Sequence, residues 1–180
     1  MNNLKTLFTN QLEIDMIKTE ENLKLAFANE SQANLKYRAF ANKAMQDGFP
    51  NIARLFRLSS RVERIHAQNK LNAFNGIGST LENIKSAIAR ETNENRTMYP
   101  LMLKQAVSDN HKAKHRIENG IKSKEAHAQL YFLALVALKN GKDLTDGELY
   151  LCPFCGNILS EKPQKNCSIC RAPATRFVKV

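Results

Sequence analysis

The chain reads as an all-α antiparallel four-helix bundle carrying a small C-terminal metal-binding β lobe. Three observations predict this: a repeat at an offset of 61 residues, stop signals that cut each repeat into two helices, and four cysteines confined to the end of the chain. Thr19–Glu30 and Thr80–Glu91 share the pattern Thr-x-Glu-Asn-x-Lys-x-Ala-x-Ala-x-Glu. The same offset, carried forward without a gap, brings His66-Ala-Gln onto His127-Ala-Gln. Two stretches in one register imply two related halves.

Each element follows from local chemistry. Thr19 is a candidate N-cap for the first helix, whose apolar residues include Leu23, Phe27, Leu35 and Phe40, and Asp47-Gly48 stops it. Pro50 suits the first turn of the second helix, which carries Ile52, Leu55, Phe56, Val62 and Leu71. After the loop Asn75-Gly76-Ile77-Gly78, Thr80 caps the third helix, and Pro100 predicts a kink or early break near its far end. The fourth runs from about Asp109 to Lys139 and stops at Asn140-Gly141. The expected organisation is an extension over 1–18, a bundle over 19–141, and a linker with the cysteine lobe over 142–180. The extension alternates apolar and polar residues enough for a short helix.

Cys152-Pro-Phe-Cys155 and Cys167-Ser-Ile-Cys170 have the spacing of a tetrahedral thiolate site, since two residues between cysteines let both sulfurs of a tight turn face one ion. Iron and zinc both accept four thiolates, and only iron makes the site an electron carrier. Residues 147–180 are too few to bury a self-sufficient core, so the lobe depends on its metal, worth on the order of 10 kcal/mol in small zinc peptides. No apolar run has the length of a signal peptide or a membrane span, which points to a soluble cytoplasmic protein. The net charge of +10 is scattered among acids and reads as a solvated surface, so nucleic acid is an unlikely partner.

Acids and histidines recur where a bundle wants apolar residues. Glu30 follows Leu23 and Phe27 on the face due for burial, Glu63 and His66 share a face of the second helix, Glu91 and Glu94 repeat that spacing on the third, and His127 stands at the repeat position of His66. Burying such carboxylates uncompensated costs several kcal/mol each, and a cation resolves the conflict. A Glu from each of two helices with Glu-x-x-His motifs on the others is the layout of ferritin-like di-iron bundles. His111 and His115 lack such company and read as surface residues.

With these residues in place the chain resembles the rubrerythrin family over about residues 19–180. The likeness rests on Glu21 to Ala33 (Glu-Asn-Leu-Lys-x-Ala-Phe-Ala-x-Glu-Ser-Gln-Ala), Glu63-Arg-Ile-His66, Glu91-Thr-Asn-Glu94 with Met98-Tyr99-Pro100, and the cysteine lobe with its Ala-Pro-x-x-x-Phe end. The resemblance implies a non-haem di-iron peroxidase that reduces hydrogen peroxide to water, with iron at Glu30, Glu63, His66, Glu91, Glu94 and His127. It implies a rubredoxin-like iron centre at Cys152, Cys155, Cys167 and Cys170, with zinc as the other occupant. It further implies an NAD(P)H-linked flavoprotein or rubredoxin-type electron donor and a homodimer or larger homo-oligomer. Tyr37 and Tyr99 match tyrosines near the iron pair, where a hydroxyl can bond a ligand carboxylate; core packing is the competing reading.

The offset demands an acid opposite Glu63 in the repeat, and the residue there is Lys124. Glu125 lies about 100° round the helix and does not replace it. Either the ammonium pairs with carboxylates and leaves one ion, or two ions bind while Lys124 points away or donates a proton. A ferroxidase or iron-handling role is the main alternative function. A zinc-ribbon adapter for nucleic acid or protein ranks below it, because it leaves the acids at core positions unexplained.

Overall fold

The computed structural model describes residues 18–145 and 147–180; the short helix expected earlier in the chain lies outside them. The chain divides into two compact units, Met1–Ile77 and Gly78–Val180. The all-α class with a small C-terminal sheet is as the sequence predicts.

The first unit is a helical hairpin of α1 (Thr19–Gln46) and α2 (Pro50–Ala73). Helix α1 starts at Thr19 itself, so Thr19 is not its cap. Lys18 holds that position without a side-chain hydrogen bond, and Glu20 and Glu21 place negative charge in the first turn. Gly48, at φ +83°, supplies the left-handed residue that ends the helix, and Pro50 opens α2 as expected. The buried side chains between the two helices are small: Ala41, Ala44, Ala53, Ser60 and Ala67. Small residues let the backbones approach closely enough for a reciprocal cross-link. Asn34 Nδ2 donates to the Ser60 carbonyl at 2.6 Å, and the Ser60 hydroxyl donates to the Asn34 carbonyl at 3.0 Å.

The second unit opens with α3 (Thr80–Asn93). Its cap is Ser79 rather than Thr80, because Glu82 stands three residues after Ser79 and closes a capping box. Helix α3 then widens into a π-helical turn, Glu94–Met98, before α4 (Tyr99–Ser108). Pro100 offers no N–H to the carbonyl four residues back and its ring crowds that carbonyl. The chain accommodates it by widening, with the Tyr99 N–H donating to the Glu94 carbonyl five residues back. The last long helix, α5 (Lys114–Lys139), begins five residues later than the sequence suggested. Asp109 instead ends α4, Asn110 turns the chain at φ +47°, and His111 Nδ1 accepts the Ala113 N–H at 3.1 Å.

Beyond α5 the chain forms a three-stranded antiparallel sheet, β1 (Tyr150–Leu151), β2 (Ile158–Leu159) and β3 (Val178–Lys179), in the order β2-β1-β3. Strands of two residues make a weak sheet. Its end is tied by Glu148, whose carboxylate accepts from both Tyr150 Oη and Lys179 Nζ.

Candidate metal centres

Two matching turns build the cysteine site. In the first, Cys152 N–H donates to the Asn157 carbonyl at 2.8 Å and Gly156 N–H to the Cys152 carbonyl at 3.0 Å. In the second, Cys167 N–H donates to Ala172 at 2.8 Å and Arg171 N–H to Cys167 at 2.9 Å. Each turn projects two sulfurs to one point. Cys152 and Cys170 stand 3.6 Å apart, as do Cys155 and Cys167, and all four sulfurs lie within 4.8 Å of one another. A tetrahedron with metal–sulfur bonds of about 2.3 Å has edges of about 3.8 Å, so the four residues fit one thiolate-bound ion.

The electrostatics of the tetrad are uneven. Burial pushes the Cys155 thiol up to about 12. Burial also acts on Cys167, but backbone N–H groups of Cys170 and Ile169 outweigh it and bring that thiol down to about 7. The Cys167 sulfur is thus poised toward thiolate near neutrality, the form in which a cysteine holds a metal. Among the described residues, this is the one group of three or more metal-ligating side chains whose ligand atoms lie so close together.

The acids and histidines expected at a second centre are divided between the units. Glu30, Glu63 and His66 belong to the first; Glu91, Glu94, Lys124 and His127 to the second. In the first unit Glu63 Oε2 and His66 Nδ1 are 3.8 Å apart, which the three-residue spacing on α2 dictates. Glu30 Oε1 lies 3.1 Å from Lys70 Nζ, and its Oε2 is buried without a partner. An orphaned buried carboxylate oxygen is what a bound cation would relieve.

In the second unit Lys124 turns into the acids. Its ammonium bonds Glu94 Oε2 and lies 3.4 Å from Glu91 Oε2. Burial works against the charge on Lys124, but hydrogen bonds and charges from Glu94 and Glu91 outweigh it and raise the pKa. The hydrogen bond from Lys124, with help from Arg90, holds the Glu94 carboxyl below the usual range. Arg90 Nε takes the other Glu94 oxygen at 2.9 Å, so both oxygens of Glu94 are engaged by cations. Glu125 is exposed, as its position on the helix requires.

His127 joins the two centres of this unit. Its Nε2–H donates to the Gly156 carbonyl at 2.8 Å, and one turn earlier the buried Ser123 hydroxyl donates to the Cys155 carbonyl at 2.7 Å. These bonds seat the cysteine lobe on α5. The other ring nitrogen, Nδ1, lies 3.3 Å from Glu91 Oε2.

The tyrosines divide. Tyr37 packs among Phe40 and Phe56, with ring centroids 6.1 Å from each. The Tyr99 ring sits 5.7 Å from the Lys124 ammonium, over a place on α5 left open by Gly120. His111 and His115 are exposed. Lys70, Arg90 and Ser123 were missed by sequence reasoning. Lys70 lies one turn beyond His66 and Ser123 one turn before His127, the single signal either carried.

Comparison with known proteins agrees with this geometry. The family model described as Rubrerythrin matches residues 21–135. Rubrerythrin of Porphyromonas gingivalis is 32% identical over 177 residues, covering 89% of this chain and 88% of the relative. Rubrerythrin-2 of Clostridium acetobutylicum is 29% identical over 174 residues, covering 88% and 95%. Nigerythrin of Nitratidesulfovibrio vulgaris is 32% identical over 174 residues, covering 88% and 85%. Among solved structures, nigerythrin in its fully reduced, all-ferrous state aligns with a TM-score of 0.54 at 29% identity, covering 92% of this chain and 88% of that one. A metal-ready cysteine lobe fused to helices bearing paired acids and histidines defines the class, and the chain belongs to the rubrerythrin family. Among the described residues no helix is long and apolar enough to cross a membrane.

Proposed function

We propose that this chain is a cytoplasmic non-haem iron peroxidase, reducing hydrogen peroxide to water with electrons relayed through an iron ion at Cys152, Cys155, Cys167 and Cys170. The balance is H2O2 + 2 e⁻ + 2 H⁺ → 2 H2O. Iron at Glu30, Glu63, His66, Glu91, Glu94 and His127 would supply the electrons that cleave the O–O bond. The observation that carries the reading is His127. Its imidazole connects the backbone of the Cys155 turn, through the Gly156 carbonyl, to the Glu91 carboxylate. That is a short covalent and hydrogen-bonded route from a thiolate ligand to the acid cluster. Ser123 holds the lobe in register for it, and Glu91 keeps the imidazole edge oriented. The electron source would be an NAD(P)H-linked flavoprotein or a rubredoxin, acting on a homodimer or larger homo-oligomer.

The test uses the full chain reconstituted anaerobically with iron. A coloured tetrad should bleach on reduction and recover on adding peroxide, and with a rubredoxin-reducing flavoprotein one NADH should be oxidised per peroxide. His127→Ala should retain the tetrad colour on purification yet slow its recovery by roughly tenfold or more. Iron oxidation by dioxygen without peroxide-dependent turnover would favour the ferroxidase reading, and a colourless tetrad would point to zinc.

A further inference from the structure

We propose that the side of α2 bearing Arg54, Arg57, Arg61 and Arg64 is a docking surface for an acidic helix of another protein. This surface belongs to the first unit alone and owes nothing to the metal chemistry proposed above.

Steps of three, four and three residues put the four arginines in one row along the helix, about 15 Å from first to last. All four are exposed. The row lies on a different side of α2 from its buried residues, Ala53, Ser60 and Ala67, and from Glu63, the one acid of the helix, which pairs with His66.

Nothing in the fold compensates this row. Other exposed cations take a carboxylate one turn away, as Lys24 does Glu20, Lys43 does Asp47 and Arg90 does Glu94. Among the described residues, none of the four arginines has an ion pair, a hydrogen bond or a ring contact. Like charges at these spacings destabilise a helix. A repulsive row with no return inside the fold fits a surface kept for a partner.

The chemistry of the row selects that partner. All four cations are arginine, whose planar fork binds a carboxylate through two parallel N–H donors. Leu58 and Ile65, seven residues apart, run along the edge of the row, 59% and 53% exposed, and Leu55 joins Leu58 in a shallow groove with Arg54, Arg57 and Arg61. Arginine beside exposed aliphatic residues is the composition of a protein–protein contact, whereas a phosphate backbone asks for charge and polar donors. A helix laid along α2 would set acids at the same three- and four-residue steps against the arginines, and apolar residues against Leu58 and Ile65. A second copy of this chain does not fit. An isologous contact would bring two rows of arginine together, and no described helix carries a matching row of four acids.

The full chain, loaded with zinc at the cysteines, is titrated at physiological salt with a peptide of about 20 residues that carries glutamate at three- and four-residue steps beside leucine. Backbone amide shifts should concentrate in 51–65. Arg57→Glu with Arg61→Glu should weaken binding by about tenfold or more. Lys104→Glu with Lys112→Glu, the same change of charge on exposed residues elsewhere, should weaken it less than about twofold. The first pair of substitutions should also raise the unfolding temperature, because it replaces repulsion along α2 by attraction. Equal losses in the two pairs would leave net charge alone as the cause and overturn the site. Failure of the wild-type chain to bind the peptide would overturn it too, as would a lower unfolding temperature in Arg57→Glu/Arg61→Glu, which would show that the arginines serve the fold. Duplex DNA or phosphatidylserine vesicles held more tightly than the peptide through the same arginines would overturn the choice of partner.

Discussion

Arg171 stands four residues after Cys167, where its counterpart in the first turn is Gly156, and both adopt left-handed backbone, at φ +65° and +79°. Glycine takes that conformation freely, whereas a side chain costs about 1–2 kcal/mol there. Arg171→Gly should therefore stabilise the cysteine lobe by up to about 1 kcal/mol, less than the full strain because glycine also frees the unfolded chain. The readout is the chelator concentration needed to strip the metal, which should rise. The pair of Lys124 and Glu94 makes a different residue-scale prediction. Glu94 titrates below its ordinary 4.5 and Lys124 above its ordinary 10.5. The stabilisation from Glu94 is present above 4.5 and fades as pH falls through its lowered folded value. That from Lys124 is present below 10.5 and fades as pH rises through its raised one. In the metal-free protein, Lys124→Met should lose about 1 kcal/mol near neutrality. Urea unfolding of the two proteins should converge as acid protonates Glu94; a gap unchanged at acid pH would show that the ion pair is not its source.

Helix α5 shows how one element serves two masters. Ser123 and His127, one turn apart, face the cysteine lobe, while Gly120 and Lys124 meet Tyr99. An alanine in place of glycine inside an open helix gains about 1 kcal/mol. At Gly120 that gain should be absent, because the new Cβ collides with the Tyr99 ring. Combining Gly120→Ala with Tyr99→Ala should recover it, so thermal unfolding of the two single variants and the double variant should show a positive coupling. Additive effects would mean that the ring does not depend on the space at Gly120. The π-helical turn Glu94–Met98 is a second element-scale device, since it absorbs Pro100 and lets the chain run on into α4 instead of stopping.

At the scale of the whole molecule, the lobe and the helices have different sources of stability. Among the described residues, the fully buried side chains of largest volume are Cys152 and Cys167, two of the candidate metal ligands rather than parts of a hydrocarbon core. Removing the metal by chelation should unfold the lobe while the helices persist, so far-ultraviolet dichroism should hardly change while the dispersed amide resonances of 147–180 collapse. Loss of helix in step with the metal would show instead that the helices lean on the lobe.

The sequence by itself determined the helices, the tetrad and the substitution at position 124, because periodicity, turn chemistry and ligand spacing are local properties of the chain. It located helix ends less well. Ser79 was overlooked beside Thr80 because the capping box depends on the reach of Glu82, and the start of α5 moved because Asn110 takes a left-handed turn. Only the tertiary structure decided that Lys124 faces Glu91 and Glu94, that Lys70 holds Glu30, and that Ser123 and His127 seat the lobe. Those choices join residues about thirty to forty positions apart. No local period encodes them, since each depends on which side chains the packed elements bring within reach of one another.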